Sequence, residues 1–213
     1  MLFNNNTNDK ISLRDEFRKD LEEKEKSLIK DLFYTEFITA YRCECGQDLF
    51  SFQILIDIPL LLPSEIYGTN LNDLLDKFFE KEKIQFEYKC TNCLKVTSHE
   101  KVLKISKMPK ILIISLQRMD HVNKIKNEIF VNFEDTLNIS KYVDNDCENN
   151  INFEYKLYAT INHQGEFEFG HYYSIIKLFS QKFWYEFNDS NVYQLESTFK
   201  KFENSYVLFY IKN

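Results

Sequence analysis

Seven short segments rich in β-branched and aromatic residues dominate the chain after residue 93. Such segments, bounded by polar and turn-forming residues, are typical of β-strands. They cover residues 102–106, 111–116, 129–133, 155–162, 171–178, 183–187 and 206–211. The polar, Asn-rich stretch 144–150 separates two of them as a loop. We therefore expect an α+β fold, formed as one unit around a largely antiparallel sheet.

The earlier part of the chain predicts two helices and a strand. Residues 11–31 are rich in charge and predict a helix with one narrow apolar stripe, formed by Leu13, Phe17, Leu21 and Leu28. Apolar and polar residues alternate over 50–58, which predicts a half-buried strand that Pro59 and Pro63 end. Asn70 is a typical cap for a second helix, whose apolar stripe faces the core: Leu71, Leu74, Leu75, Phe78 and Phe79.

The composition indicates a folded chain with neither a membrane nor a nucleic acid as partner. Of 213 residues, 44% are hydrophobic and 16% aromatic, and the net charge of -6 disfavours a basic nucleic-acid-binding surface. No apolar run approaches the roughly 18 residues that span a bilayer, and the polar residues 1–10 do not resemble a secretory signal. Five cysteines, an odd number, disfavour a closed disulfide framework. A cytoplasmic or nuclear location is expected, where thiolates stay available for a metal.

Four of the five cysteines form two local pairs, Cys43 with Cys45 and Cys90 with Cys93. Two such pairs can supply the four thiolates of a closed tetrahedral zinc site, so the sequence predicts structural Zn²⁺. A single residue between Cys43 and Cys45 constrains the bite of those two sulfurs, and Gly46 permits the tight turn that follows. The alternative is that the pairs are merely small buried apolar residues.

One histidine stands beside residues that suit acid–base chemistry. His171 opens an apolar strand, and Asn188 and Asp189 follow another strand that can return beside it. This arrangement suits an imidazole base that a carboxamide or carboxylate orients through its second nitrogen, although an isolated strand histidine is more often a core residue. His163 is expected in a loop near a cleft, and His99 and His121 are expected at the surface, because the sequence offers no partner for either.

Five stretches of the chain form a recognisable set of motifs. Residues 159–165 read Ala-Thr-Ile-Asn-His-Gln-Gly, residues 169–174 Phe-Gly-His-Tyr-Tyr-Ser and residues 184–190 Trp-Tyr-Glu-Phe-Asn-Asp-Ser. These three stretches are similar to the histidine box of the ubiquitin-specific proteases, a papain-like cysteine protease family. Residues 108–119, Met-Pro-Lys-Ile-Leu-Ile-Ile-Ser-Leu-Gln-Arg-Met, and 205–210, Ser-Tyr-Val-Leu-Phe-Tyr, resemble two strands of its palm. The resemblance implies a partial papain-like fold, with a largely antiparallel palm sheet and zinc-ribbon-like fingers but no thumb.

The resemblance also implies domain limits and site residues. Residues 31–213 match the fingers and palm of the catalytic domain, and residues 1–30 form a charged amino-terminal helical extension. His171 takes the place of the family's general base, Asn188 orients its ring, and Asp189 contributes through water or electrostatics. The two cysteine pairs match the family's four-cysteine zinc site at the tip of the fingers. The implied partner is ubiquitin or a ubiquitinated protein, and the implied reaction is hydrolysis at the ubiquitin carboxyl terminus.

The family's nucleophile lies in an amino-terminal box that reads Gly-Asn-Thr-Cys-Tyr-Met-Asn, and residues 1–41 contain no such box. Cys147 is a poor substitute, because its acidic loop disfavours a thiolate and it follows both cysteine pairs in the chain. We therefore expect this chain to be inactive alone, as a truncated or split enzyme whose thumb another segment or chain supplies. The alternatives are a non-catalytic ubiquitin-binding scaffold and an unrelated zinc-ribbon nucleic-acid binder, which the negative charge disfavours.

Overall fold

The computed structural model describes residues 10–64, 68–85, 89–147, 152–178, 183–195 and 204–212. The chain forms two compact units, each assembled from segments distant in sequence. The first combines Met1–Ile56, Phe79–Pro109 and Lys141–Asn150, and the second combines Asp57–Phe78, Lys110–Ser140 and Ile151–Asn213. The sequence indicated one unit, because its hydrophobic pattern identifies strands but not which of them pair.

The described residues contain short helices and many strands. In chain order these are α1 (Lys10–Lys24), α2 (Leu28–Phe33), β1 (Thr35–Cys43), β2 (Asp48–Leu55), β3 (Asp57–Leu61), β4 (Thr69–Asn70), α3 (Leu71–Phe78), β5 (Glu82–Gln85), β6 (Ser98–Lys107), β7 (Ile111–Gln117), β8 (Met119–Asp120), β9 (Ile125–Lys126), β10 (Val131–Asn132), β11 (Thr136–Asn138), a 3-10 turn (Ser140–Tyr142), β12 (Glu154–Gly165), β13 (Gly170–Lys177), β14 (Trp184–Asn188), β15 (Asn191–Leu195) and β16 (Ser205–Lys212). The expected α+β class is therefore observed.

The first unit is a four-stranded antiparallel sheet in the order β2-β1-β6-β5, with helix α1 on one face. The apolar stripe of α1 packs against alternate residues of β1 and β2, in a cluster that contains Leu13, Phe17, Ile38, Phe50 and Phe52. The predicted stripe fails at Leu28, which is 70% exposed. The reason is that Ser27 ends the run by capping a separate helix, where its Oγ accepts the Lys30 N–H at 3.1 Å.

The second unit is built on a larger sheet in the order β15-β14-β13-β12-β16-β7-β3, with β11 beside β12. Within this larger sheet the described strands pair antiparallel except for β3 and β7, which are parallel. Strands β3, β7, β12 and β16 bury large side chains completely, among them Leu60, Leu112, Ile114, Tyr155, Leu157, Leu208 and Tyr210. Burial of such side chains contributes about 1.5–3 kcal/mol each, so this core holds the strands that carry the histidine box.

Two sequence predictions in this region need correction. The predicted strand over 50–58 is two strands, because β2 ends at Leu55 in the first unit and β3 begins at Asp57 in the second. Pro59 does not end the strand but lies inside β3, at the edge of the sheet, where its missing N–H leaves no neighbour unsatisfied. The capped helix is confirmed: Asn70 Oδ1 accepts the Asp73 N–H at 2.9 Å.

The strands predicted after residue 93 are confirmed with one shortening. Only Val131–Asn132 of the predicted strand 129–133 pairs, in parallel with β4. No helix among the described ranges combines the length and the apolar character that crossing a membrane requires.

Candidate catalytic site and cysteine cluster

The structure brings His171 and Asn188 into direct contact. His171 is the second residue of β13 and Asn188 is the last residue of β14, which pairs with β13 from Ser174↔Phe187 onward. The asparagine thus ends the neighbouring strand at the level where its side chain reaches the imidazole. His171 Nε2 lies 2.7 Å from Asn188 Oδ1. A hydrogen bond of this length fixes the plane of the ring.

The bond also selects a tautomer of the imidazole. Because a carboxamide oxygen only accepts, Nε2 carries the proton and Nδ1 carries the lone pair. The orientation of the carboxamide is set in turn by Glu186, whose Oε1 accepts from Asn188 Nδ2 at 3.2 Å. The His171 side chain is 46% exposed, so a reacting group can approach Nδ1 from solvent. The site therefore presents an oriented base.

Asp189 is less closely engaged than Asn188. Its Oδ2 lies 3.8 Å from His171 Nε2, and its side chain is 77% exposed. Its backbone has a left-handed φ of 52°, in the turn between β14 and β15. At this distance and exposure, Asp189 can stabilise a protonated imidazole electrostatically but does not hold the ring.

His163 was expected in a loop, and the structure places it in strand β12, only 3% exposed. Its ring packs against Tyr172 with the centroids 4.5 Å apart. Burial, followed by the nearby charge of Lys126, lowers the pKa of His163. The ring lies so close to Gly170 that a methyl group there would overlap His163 Nε2. His163 is thus a neutral packing residue that requires glycine immediately before His171.

The other two histidines differ in their exposure to solvent. His99 was expected at the surface, but it is 2% exposed, stands opposite Cys43 in the β1–β6 pairing and bonds the Thr97 carbonyl through Nδ1 at 3.0 Å. Strand pairing distant in sequence buried it, which the local pattern does not show. His121 is exposed as expected, with its ring 5.4 Å from that of Phe167.

Sequence reasoning missed Glu186 as a second support of the site. It precedes Asn188 by two residues on β14, so both side chains lie on the same face of the strand. This two-residue spacing along a strand was the sequence signal that could have identified Glu186.

The four paired cysteines form one cluster in the first unit. Their sulfurs all lie within 4.8 Å of one another, with Cys43 Sγ 3.8 Å from Cys93 Sγ and Cys45 Sγ 3.7 Å from Cys90 Sγ. Four sulfurs at about 2.3 Å from a tetrahedral zinc ion are about 3.8 Å apart. These two distances fit the edges of such a tetrahedron, and Cys43 lies within the cluster despite its one-residue spacing.

The backbone folds both pairs in the same way. Gly46 and Leu94, which directly follow the second cysteine of each pair, have left-handed φ values of 87° and 59°. The Gly46 N–H donates to the Cys43 carbonyl at 2.9 Å, and the Leu94 N–H donates to the Cys90 carbonyl at 2.8 Å. These two tight turns aim the sulfurs at a common centre, as in a zinc knuckle.

Proton affinities differ sharply within the cluster. Hydrogen bonds from the Asn92 amide and the Gln47 backbone lower the pKa of Cys45 to about 6. At Cys93 the Lys95 backbone N–H favours the thiolate, but burial and the neighbouring sulfurs outweigh it and raise the pKa to about 11. Four sulfurs this close compete for protons, and a soft cation at their centre would hold all four as thiolates. The donor set therefore fits zinc.

Comparison with known families shows where this chain belongs. The sequence model of the family described as ubiquitin carboxyl-terminal hydrolase matches residues 3–210. This chain belongs to that family. The resemblance of its motifs to the ubiquitin-specific proteases is thereby confirmed, and so is the expected fold class.

Individual relatives show how much of a family member the chain spans. It is 32% identical over 196 residues to ubiquitin carboxyl-terminal hydrolase 2 of Gallus gallus, covering 89% of this chain and 54% of that protein. It is 30% identical over 188 residues to ubiquitin carboxyl-terminal hydrolase 20 of Arabidopsis thaliana, covering 86% of this chain and 26% of that protein. The chain therefore spans about half or less of the length of these relatives.

Solved structures of the same fold include the SAGA Ubp8/Sgf11/Sus1/Sgf73 DUB module bound to ubiquitin aldehyde, with a TM-score of 0.78 and 26% identity, over 94% of this chain and 46% of that chain. A structure of the yeast SAGA DUB module gives a TM-score of 0.76 and 24% identity, over 93% of this chain and 45% of that chain. The described fold is therefore shared with about half of a chain in these DUB-module structures.

Proposed function

We propose that this chain is the fingers-and-palm portion of a deubiquitinating cysteine protease, which hydrolyses ubiquitin conjugates at the ubiquitin carboxyl terminus. The observation that carries the proposal is the 2.7 Å bond between His171 Nε2 and Asn188 Oδ1, which leaves Nδ1 as the proton acceptor. Family membership and the ubiquitin-bound relatives of the same fold support it. An asparagine is sufficient as the orienting residue in a thiol enzyme, because a Cys–His pair needs less assistance than Ser–His.

In this reaction the histidine acts twice. His171 Nδ1 first takes the proton of a cysteine thiol, and the thiolate attacks the carbonyl carbon at the ubiquitin carboxyl terminus. The protonated ring then gives its proton to the departing amine, and a thioester to ubiquitin remains. Water, deprotonated by the same nitrogen, cleaves the thioester and regenerates the thiol. Asn188 keeps the ring in position through both proton transfers, and Asp189 stabilises the imidazolium.

The nucleophile in this proposal comes from a segment or chain outside the present sequence. Four cysteines form the cluster that could hold a metal, and Cys147 follows both cysteine pairs in the chain, after the place of the family's nucleophile. Removing the nucleophile of a protease triad lowers turnover about a million-fold, as it does in subtilisin. We expect the 213-residue chain alone to have no measurable hydrolase activity.

We assign structural Zn²⁺ to the four-cysteine cluster, as the support of the first unit. Cys43, Cys45, Cys90 and Cys93 would hold it, and it takes no part in the proton transfers. Ubiquitin or a ubiquitinated protein is the proposed partner, together with a chain or segment that supplies the thumb. The relative of the same fold acts within a module of several subunits, and its complex with ubiquitin aldehyde fits this assignment. A cytoplasmic or nuclear location suits the free thiols.

Three measurements test the proposal. Labelled ubiquitin titrated with the purified chain should bind saturably, and a ubiquitin–fluorophore substrate should remain uncleaved. Sequencing the transcript upstream of Met1 should then reveal an in-frame Gly-x-Thr-Cys box. Cleavage by the chain alone would contradict the assignment of the nucleophile. Binding without any such box, in this chain or a partner, would favour the non-catalytic scaffold, and no binding at high micromolar ubiquitin would count against both.

A further inference from the structure

Among the residues that the structure describes, strand β12 extends beyond one of its two neighbours. On one side it pairs with β13 as far as Gly165↔Gly170, but on the other side its pairing with β16 ends at Asn162↔Ser205. One more bond, from the His163 N–H to the Asn204 carbonyl at 3.0 Å, shows that the backbone of His163 faces the β16 side. Because alternate residues of a strand face the same side, the Gly165 carbonyl faces that side as well.

A lysine side chain donates hydrogen bonds to the carbonyls at this end of β12. Lys126, the last residue of β9, donates from Nζ to the His163 carbonyl at 3.1 Å and to the Gly165 carbonyl at 2.5 Å. Its side chain is only 6% exposed, so these bonds satisfy an ammonium group that has lost much of its water. Glu128, 3.6 Å away and 74% exposed, adds a weaker ion pair.

These two carbonyls belong to the strand end that fixes the position of His171. Gln164, which lies between them, is the direct partner of His171 in the β12–β13 register, and Gly165 is the partner of Gly170. The turn that joins the strands is closed by a backbone bond from the Glu166 N–H to the Phe169 carbonyl at 2.8 Å. Order at the start of β13 therefore depends on order at the end of β12.

We propose that Lys126 is a positioning residue for His171: its ammonium group bonds the His163 and Gly165 carbonyls at the end of β12 and so holds the imidazole against Asn188. This proposal rests on the proposed function only in treating His171 as the base, and Lys126 contacts no reacting atom. Without the ammonium, two carbonyls lose charged donors and the end of the hairpin frays, which releases the 2.7 Å contact of His171 with Asn188.

The test uses the 213-residue chain and two nuclear magnetic resonance readings. Amide hydrogen exchange over residues 163–172 reports the order of the hairpin end, and the imidazole nitrogen shifts of His171 report its tautomer. In Lys126→Met we expect about a tenfold or greater loss of amide protection and a change from the single Nε2–H tautomer to the mixture of an unconstrained ring. Lys126→Arg should restore both, because a guanidinium can donate to two carbonyls. Amides of β7 and β16 should keep their protection.

The matched control is Lys124→Met, two residues before Lys126. Lys124 pairs with Glu168 at 3.4 Å, but both side chains are more than half exposed, so neither reading should change. Unchanged His171 tautomer in Lys126→Met, with or without loss of amide protection, would overturn the proposal. If that variant does not fold, Lys126→Gln decides by the same criterion. Neither reading requires hydrolysis, so a failure of the proposed function would leave this test intact.

Discussion

Helix α1 is attached to the first sheet by a nearly buried ion pair, whose removal should be costly. Arg18 Nε and Nη2 contact the Glu36 carboxylate at 3.0–3.2 Å, and Nη2 also reaches the Ser106 carbonyl at 3.4 Å. The Glu36 side chain is 2% exposed and that of Arg18 is 14% exposed. The substitution Arg18→Met keeps much of the length of the side chain but leaves the carboxylate buried without its cation.

The expected cost follows from that burial. Removing one partner of a buried ion pair costs about 3–5 kcal/mol, because the remaining charge is neither hydrated nor paired. Since about 1.4 kcal/mol corresponds to a factor of ten, amide protection in α1 and β1 should fall roughly 100- to 5000-fold. Hydrogen exchange is the suitable assay, because the sole tryptophan, Trp184, lies in the second unit and its fluorescence does not report on the first.

Two further variants separate this explanation from a general weakening of the helix. Lys24→Met removes an exposed i,i+4 pair with Asp20 on the same helix and should change protection little. The double variant Arg18→Met with Glu36→Met should recover most of the loss, because no unpaired charge remains. The reasoning would be refuted if Arg18→Met were as mild as Lys24→Met, or if the double variant were no more stable than the single one.

Three more outcomes are expected. The purified chain should contain one zinc per molecule by metal analysis, and Cys45→Ser should lose it and the amide protection of the first unit while Cys147→Ser keeps both; zinc-free protein with full protection would contradict the assignment. Because the folded state holds the pKa of His163 below its usual value of about 6.5, its contribution to stability is complete above that pH and is lost as pH falls. The free energy of unfolding, measured in urea, should therefore decrease more steeply between about pH 7 and 5 in the wild type than in His163→Gln. Equal slopes would contradict this explanation of the His163 contribution. Gly170→Ala should displace the ring of His163 and shift the tautomer of His171, which imidazole nitrogen shifts would detect; an unchanged spectrum would disprove the close contact.

The candidate catalytic pair was predictable because its signals are local. The residues flanking His171 and Asn188 form strands with clear composition, and an antiparallel return brings their ends together. The cysteine cluster was predictable for a similar reason, since each pair turns on itself within a few residues and only one arrangement of four thiolates satisfies a tetrahedral ion.

The remaining features depend on contacts between residues distant in sequence. His99 is buried because β6 pairs with β1. Strand β3 belongs to a different sheet from β2 because it pairs with β7. The role of Lys126 depends on where β16 begins. Among the described residues, the pairing of β16 with β12 stops at Asn162, short of the end of β12. Local periodicity carries none of this information, because strand pairing is decided by the packing of the whole unit.

The most direct test of the central claim is hydrolysis of a ubiquitin–fluorophore substrate by this chain together with the segment or partner chain proposed to supply the cysteine, with His171→Ala compared against His121→Ala. Both histidines belong to the second unit, and His121 is exposed with its ring beside Phe167, so it is a matched control. A positioned general base contributes about 100- to 10,000-fold, so His171→Ala should lose at least about 100-fold in kcat/KM while His121→Ala stays near the wild type. A His171→Ala enzyme within a few-fold of the wild type would contradict the account.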